Sequence, residues 1–208
     1  MTVKVVGIMG SYRKGKIIDS ALSAVLAGAE AQGAQTNQID LLDKHIEFCN
    51  NCRGCAQTQE AVRRGPCVHD DDMEAILAEI DNAHAVVMGS PINFGTVTAL
   101  MKRFIERLTP YAYWPWGQAV APKYRISKAD KKAVTITSSA CPALLGRILM
   151  PNALSIQKKA ARTMGARVVK SLYFGPVAGK QDAPLSEKAL QKARKTGEDL
   201  VVQIQAGK

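Results

Sequence analysis

The amino-acid sequence predicts an α/β protein built on a parallel β-sheet, and two observations support this fold class. Short apolar runs rich in valine and isoleucine recur along the chain, and segments with helical periodicity separate them. The runs are continuously apolar rather than alternating, which is typical of strands that helices cover on both faces. With 208 residues, 47% of them hydrophobic, the chain is long enough for a substantial core. We therefore predict one domain spanning residues 1–208.

Strands and helices alternate in this pattern from one end of the chain to the other. Strands are predicted at residues 3–9, 35–42, 85–88, 133–136 and 166–174. Helices are predicted at residues 18–32, 71–83, 96–108, 145–164 and 186–205. The second strand is weaker than the other four, since only three of its eight residues are apolar.

The helices are recognised by an apolar face or by their end residues. The first helix places Ile18, Leu22 and Val25 on one face, and Gly33 ends it. The second helix begins with acidic residues from Asp71 onward, which suit the positive end of the helix dipole. The last helix turns one face inward, formed by Leu190, Ala193, Leu200, Val201 and Ile204.

Residues 109–130 interrupt this alternation and contain both tryptophans of the chain, Trp114 and Trp116. A long insertion in a compact α/β domain is usually functional or lies in an interface. The alternative is a surface loop whose rings pack back onto the body of the domain. Both interpretations remain open from the sequence.

A second unusual segment, residues 49–67, contains four of the five cysteines. Cys49, Cys52 and Cys55 have C-x2-C-x2-C spacing, and Cys67 follows after eleven residues. Thiols at this spacing can converge on one point from a tight loop, as they do around zinc or an iron–sulfur cluster. Free, redox-active or simply buried thiols are the alternatives. A disulfide framework is not expected, because we predict a cytoplasmic protein in a reducing compartment.

Charge and hydropathy exclude several function classes. The formal net charge is +10, but the lysines and arginines are spread along the chain, aromatic residues make up only 5%, and no nucleic-acid motif is present. We therefore expect no binding to nucleic acid. No apolar run approaches the length of a membrane span, and the first nine residues do not resemble a secretory signal. We expect no membrane partner.

The loop after the first strand has the composition of a phosphate-binding loop. Glycines, a hydroxyl and basic residues precede a helix start, where backbone N–H groups are available to an anion. The candidate residues are Ser11, Arg13, Lys14, Gly15 and Lys16. The loop matches neither G-x-G-x-x-G nor G-x4-G-K-[ST], which disfavours a dinucleotide-binding Rossmann site and a P-loop.

Two further loops follow strands that end at the same sheet edge, where open parallel sheets bind ligands. The first is apolar and suits a flat ring, with Phe94 as a surface for it; the alternative is a turn in which Phe94 belongs to the core. Its candidate residues are Pro91, Ile92, Asn93, Phe94, Gly95 and Thr96. The second is polar and contributes Ser138, Ser139 and Cys141. A phosphate loop, a ring loop and a polar loop together indicate flavin mononucleotide (FMN).

These motifs, in this order, resemble the flavodoxin-like NAD(P)H-dependent FMN reductases and, within them, the iron–sulfur flavoproteins. The resemblance rests on Gly10-Ser11-Tyr12-Arg13-Lys14, the cysteine run with Cys67 to Met73, Gly89-Ser90-Pro91, and the helix from Met101 to Arg107. It implies a flavodoxin-like three-layer sandwich with strand order 2-1-3-4-5 and FMN at the switch point. It assigns the FMN phosphate to Ser11, Arg13 and residues 14–16, and the isoalloxazine ring to residues 91–96 and 138–141.

The resemblance also implies chemistry and partners. We expect an FMN-dependent NAD(P)H oxidoreductase that passes electrons to a quinone, a nitro or azo compound, a flavin or a protein. Cys49, Cys52, Cys55 and Cys67 would hold a [4Fe–4S] cluster, and the chain would form a homodimer or homotetramer. No catalytic side chain is expected, since the flavin carries the hydride chemistry. The alternatives are an electron-transfer protein that uses no nicotinamide and a zinc-stabilised module without flavin.

Overall fold

A computed structural model describes residues 2–58, 62–117, 119, 121–177 and 184–207 of the chain. The strands are β1 (Lys4–Met9), β2 (Gln35–Asp40), β3 (Ala85–Pro91), β4 (Ala112–Tyr113), β5 (Lys123–Tyr124), β6 (Lys131–Ser138) and β7 (Ala166–Phe174). The helices are α1 (Ile17–Ala31), α2 (Gly54–Gln57), α3 (Met73–Asn82), α4 (Ala99–Glu106), α5 (Ala143–Leu149), α6 (Pro151–Thr163) and α7 (Glu187–Ala206). None of the helices in the described ranges combines the length and the apolar character that crossing a membrane requires.

Five parallel strands form the central sheet in the order β2-β1-β3-β6-β7. Counted among these five strands alone, this is the order 2-1-3-4-5, so the predicted α/β flavodoxin-like fold is confirmed. The chain reverses its direction of travel across the sheet between β1 and β3. Ligands of such sheets bind at this switch point, outside the carboxyl ends of the strands.

Helices cover both faces of the sheet, which explains why its central strands β1 and β3 are almost continuously apolar. On one face, Leu22 of α1 and Leu200 of α7 pack with Val87 of β3 in one buried cluster. On the other face, Ile80 of α3 and Phe104 of α4 pack with strand side chains in a second cluster, which α6 completes. Burial of such large side chains contributes about 1.5–3 kcal/mol each.

The prediction of one helix over residues 145–164 is wrong. The structure divides this segment into α5 and α6, and Pro151 is the first residue of α6. Proline lacks an N–H and clashes with the preceding turn, so it breaks a continuing helix but suits a first helical position. The helix predicted from residue 96 begins at Ala99, because the Thr98 side chain accepts a hydrogen bond from the Met101 N–H and caps it.

Candidate functional site

Hydrogen bonds join the three predicted FMN loops at the carboxyl edge of the sheet. The Gly10 N–H donates to Gly89 O at 2.8 Å, which ties the first loop to the end of β3. The Ile92 N–H donates to Ser138 O at 2.8 Å and ties the second loop to the end of β6. At the switch point, the buried Thr98 hydroxyl donates to Gly10 O at 2.6 Å. The loops therefore form one connected rim across three adjacent strands.

The first loop leads into the start of α1, where no side chain caps the helix. Ser11 is buried, and its hydroxyl accepts the Arg13 N–H at 3.2 Å. Lys16 occupies the N-cap position of α1, and the helix begins without a Ser, Thr, Asp or Asn cap. The N–H groups of a helix start favour an anion both as donors and through the helix dipole. An FMN phosphate fits this position.

Two of the predicted phosphate contacts have acidic partners in the structure. Lys14 forms an ion pair with Asp43 and lies 3.8 Å from Asp40. The hydrogen bond to Asp43 raises the pKa of Lys14, and desolvation opposes this effect. The Gly15 N–H donates to an Asp19 carboxylate oxygen at 2.6 Å. To bind a phosphate, Lys14 and Gly15 would therefore have to exchange partners.

The second loop forms a tight turn that presents Phe94 to solvent. Asn93 and Thr96 pair across the turn, and its two central residues have positive φ angles, 51° at Phe94 and 80° at Gly95. Two-residue hairpins of this kind require positive φ at both central positions. Phe94 is fully exposed, so the alternative that placed it in the core is wrong. Its ring is available to a flat ligand.

In the third loop, internal hydrogen bonds hold Ser139 and Cys141 in place. The Ser139 hydroxyl bonds to the Tyr173 hydroxyl at 2.6 Å and accepts the Cys141 N–H at 3.1 Å. Ser138 and Ser139 are buried and Cys141 is half-buried. These residues shape the rim through backbone and packing, because the Ser139 hydroxyl is already engaged.

The four cysteines of residues 49–67 share one neighbourhood. Cys55 is buried, and burial first, then the nearby Cys67, Cys49 and Cys52 thiols, raise its pKa to about 11. Each of these thiols is thus close enough to disfavour a negative charge on Cys55. Within the described ranges, however, no three His, Cys, Asp or Glu side chains are arranged so that they could bind one metal ion. The four cysteines are nevertheless chemically suitable ligands for a metal ion or an iron–sulfur cluster, because a bound metal would displace the thiol protons and bind the thiolates.

Gly65 explains how Cys67 reaches this neighbourhood despite the eleven intervening residues. A Cβ atom at Gly65 would lie 1.9 Å from the carbonyl oxygen of Cys55, so only glycine allows the two backbones to pack this closely. The Gly65 N–H also donates to Pro110 O at 2.9 Å, which holds the returning chain against the insertion. The eleven intervening residues do not prevent this approach, because the entropic cost of closing a loop rises only slowly with its length.

The described residues of the insertion at 109–130 pack back onto the cysteine segment, which agrees with the interpretation as a loop whose rings pack onto the body of the domain. The Arg53 guanidinium lies over the Trp114 ring at 3.5 Å and over the Trp116 ring at 4.1 Å. Its NH2 group donates to Trp114 O at 2.9 Å. From the insertion, Arg125 donates to Cys55 O at 3.1 Å. Cation–π contacts of this kind contribute about 0.5–2 kcal/mol each, so both tryptophans help fix the residues between Cys52 and Cys55.

An interaction that the sequence did not predict connects Cys67 to α4. Arg107, at the end of α4, forms a two-point ion pair with Asp71, with N–O distances of 2.5 and 3.1 Å. Its NH2 group also donates to Cys67 Sγ at 3.5 Å. Arg107 follows the buried Phe104 by three residues, so helical periodicity is the signal that could have placed this arginine on the core face, where it would need a partner. The identity of the partner of Arg107 could not be predicted from the local sequence.

Helix α4 connects the two groups of candidate residues. Thr98, at its start, bonds to the phosphate loop at Gly10, and Arg107, at its end, bonds to Cys67. With a helical rise of about 1.5 Å per residue, these positions are about 13 Å apart. The FMN loops and the cysteines therefore lie at opposite ends of one short rigid element.

Comparisons with known proteins agree with this geometry. Residues 3–171 match the family described as NADPH-dependent FMN reductase. An iron–sulfur flavoprotein of Archaeoglobus fulgidus is 34% identical over 113 residues, which cover 54% of this chain and 49% of that protein. One of Methanocaldococcus jannaschii is 32% identical over 108 residues, covering 52% and 53%. The matched part spans about half the length of these relatives.

Solved structures share the fold at low sequence identity. An NAD(P)H:quinone oxidoreductase from Methanothermobacter marburgensis superimposes with a TM-score of 0.74 at 19% identity, covering 96% of this chain and all of that one. An azoreductase from Bacillus anthracis gives 0.65 at 14% identity, covering 95% and 100%. At such identities the likeness establishes the fold alone.

Proposed function

This chain belongs to the NADPH-dependent FMN reductase family, and on that premise we propose that it is an FMN-dependent oxidoreductase that takes electrons from NADH or NADPH. The observation that carries the proposal is the connected rim of three loops at the switch point of the sheet. One of these loops leads into an uncapped helix start, and another presents an exposed aromatic ring. An anion site beside an aromatic surface suits a nucleotide with a large planar head.

The residues of the rim would have distinct roles toward FMN. Ser11, Arg13, residues 14–16 and the first N–H groups of α1 bind the phosphate. Residues 91–96 and 138–141 border the ring, and Phe94 lies against it. When bound, FMN supplies the hydride and electron chemistry, so the chain's task is to orient the ring and leave one face open for a nicotinamide.

For the electron acceptor we propose a small oxidised aromatic compound, a flavin or a protein. Structural neighbours named as a quinone oxidoreductase and an azoreductase support the small-molecule class. An acidic protein acceptor agrees with the net charge of +10.

We propose further that Cys49, Cys52, Cys55 and Cys67 hold an iron–sulfur cluster, with zinc as the alternative metal. The support is the shared neighbourhood of the four thiols, together with the relatives named iron–sulfur flavoproteins. Four thiolates are the common ligand set of a [4Fe–4S] cluster. Such a cluster would lie near the far end of α4 from the FMN rim and would accept or deliver single electrons.

One spectrum and one kinetic experiment test the function. Protein purified without oxygen should show the two visible absorption bands of FMN, and a cluster should add a broad brown shoulder. Stopped-flow mixing with NADPH, and separately with NADH, should bleach the flavin bands. A flavin that neither nucleotide bleaches would favour an electron-transfer protein acting between protein partners. A colourless protein would favour a zinc-stabilised module.

Substitution of one cysteine tests the ligand set. We predict that Cys52→Ala removes most of the iron and sulfide and leaves the FMN content unchanged, because the two sites share no residue. Cys141→Ala is the matched control, since Cys141 lies in the third FMN loop. Iron, sulfide and FMN are measured on the same samples. Full iron content in Cys52→Ala would exclude ligation by this residue.

We also propose that the chain forms a homo-oligomer through α5. Leu144, Leu145, Ile148 and Leu149 are between 51% and 75% exposed, although they belong to one short helix. A contiguous exposed apolar patch is typical of a surface that is covered in the assembled protein. A second copy of this chain is the occupant we propose.

A further inference from the structure

Arg107 and Asp71 form a buried ion pair beside Cys67, at the cysteine segment. Their side chains are 2% and 0% exposed. An arginine keeps its charge in proteins, so a buried arginine needs several acceptors. Arg107 has three in the described structure: the Asp71 carboxylate, the Glu47 carbonyl oxygen at 2.8 Å and the Cys67 sulfur at 3.5 Å.

The pair is rigid because both partners are fixed from several sides. Asp71 accepts the backbone N–H groups of Glu47 at 2.8 Å and Met73 at 3.0 Å, which places it at the start of α3. Its carboxylate holds Arg107 through two hydrogen bonds. Two parallel bonds of this kind fix the plane of a guanidinium. The remaining N–H of NH2 is thereby directed at Cys67.

From this geometry we infer that Arg107 is a positioning residue for Cys67, and that its N–H raises the reduction potential of a cluster bound there. The inference rests on the proposed cluster. Reduction adds an electron to the cluster, and a hydrogen bond donated to a ligand sulfur stabilises the more negative state. The negative charge of Asp71 cancels most of the effect that the positive guanidinium charge would have on the cluster. The effect on the cluster is therefore due mainly to the donated N–H.

The test compares the cluster potential in matched variants. Arg107→Met removes the donor but leaves Asp71 without its partner. The double variant Arg107→Met with Asp71→Asn removes both charges, leaves the net charge unchanged and leaves no side-chain donor at position 107. Arg103→Gln is the control for the loss of one positive charge from the same helix. Arg103 lies one turn earlier on α4, and its guanidinium lies 5.8 Å from the Phe48 ring. Potentials are measured by anaerobic spectroelectrochemical titration with mediator dyes.

We expect the double variant to be harder to reduce by a factor of about ten at a fixed potential, a shift of about 59 mV for one electron, and Arg103→Gln to match the unchanged protein. Loss of iron from the double variant with FMN retained would also support the inference, provided that Arg103→Gln keeps its iron. Equal potentials in the double variant and the unchanged protein would overturn it and leave the proposed cluster standing. An unchanged protein that takes up no iron and sulfide would overturn both the inference and the proposed cluster, but not the proposed flavin site.

Discussion

At the residue scale, Phe94 adopts a backbone conformation that side chains other than asparagine, aspartate and glycine rarely adopt. Its φ of 51° costs about 1–2 kcal/mol relative to ordinary backbone. The ring recovers none of this cost by packing, because it is fully exposed. Residues that keep such strain are concentrated at binding sites. The conformation of Phe94 therefore supports a role in ligand binding.

Substitution of Phe94 separates binding from stability. We predict that Phe94→Asn weakens FMN binding about 2- to 10-fold, since an aromatic contact contributes about 0.5–1.5 kcal/mol. The melting temperature of the FMN-free protein should stay equal or rise, because asparagine tolerates positive φ. Phe94→Tyr, which keeps the ring, is the control. FMN affinity is measured by quenching of flavin fluorescence, and equal affinity in Phe94→Asn would show that the ring does not contact FMN.

The buried carboxyl of Asp71 predicts a defined dependence of stability on pH. Burial opposes its ionisation, but hydrogen bonds from Arg107 and from the Glu47 and Met73 backbones outweigh burial and lower its pKa. A carboxyl whose pKa is lower in the folded state stabilises the fold at pH values above its unfolded pKa of about 3.9. This contribution is lost as the pH falls through the lowered folded value.

We therefore predict that Asp71→Asn lowers the free energy of unfolding by about 3–5 kcal/mol at pH 7, the usual cost of breaking a buried ion pair. The difference from the unchanged protein should shrink as the pH falls below about 4. Urea unfolding at several pH values measures it. Asp43→Asn, at a largely exposed ion pair, should change stability by less than about 1 kcal/mol. A difference that stays constant down to pH 3 would contradict this account of Asp71.

At the element scale, the cysteine segment depends on the close packing of Gly65 against Cys55. We predict that Gly65→Ala lowers the iron content by more than half and leaves FMN bound, because the added Cβ forces the two backbones apart and moves Cys67 away. Gly54→Ala is the matched control in the same segment. A Cβ there meets its nearest atoms at 3.8 Å, which is ordinary contact. Iron and FMN assays on both variants decide the prediction, and equal iron contents would refute it.

Local sequence predicted the elements where the pattern was continuous and missed contacts between distant elements. Strands β1 and β3 were recognisable because they are apolar almost throughout, as strands covered on both faces must be. The break at Pro151 was missed because apolar residues continue across it. Arg107 and Gly65 have partners that the fold brings to them, Asp71 at a separation of 36 residues and the carbonyl of Cys55. Such pairings depend on tertiary structure and leave no periodic signal.

At the scale of the whole molecule, the proposed flavin rim and the cysteine segment contact opposite ends of one helix. They are joined by α4, and α5 follows directly after the third FMN loop. An assembly that covers α5 would therefore close over the edge of the flavin rim. Oligomerisation and flavin binding would then be coupled, since both would contact the loop at residues 138–141.

The exposed face of α5 gives the prediction that tests this arrangement. We predict that Leu145→Glu combined with Ile148→Glu dissociates the oligomer, because two carboxylates would be buried without partners in the interface. Light scattering after size-exclusion chromatography measures the mass, and the FMN affinity of the dissociated chain should fall. Val202→Glu, which places one carboxylate on an exposed position of α7, is the control and should leave the mass unchanged. If the double variant keeps the mass of the oligomer, the interface lies elsewhere on the protein. If the unchanged protein is a monomer, α5 does not form an interface between copies of the chain.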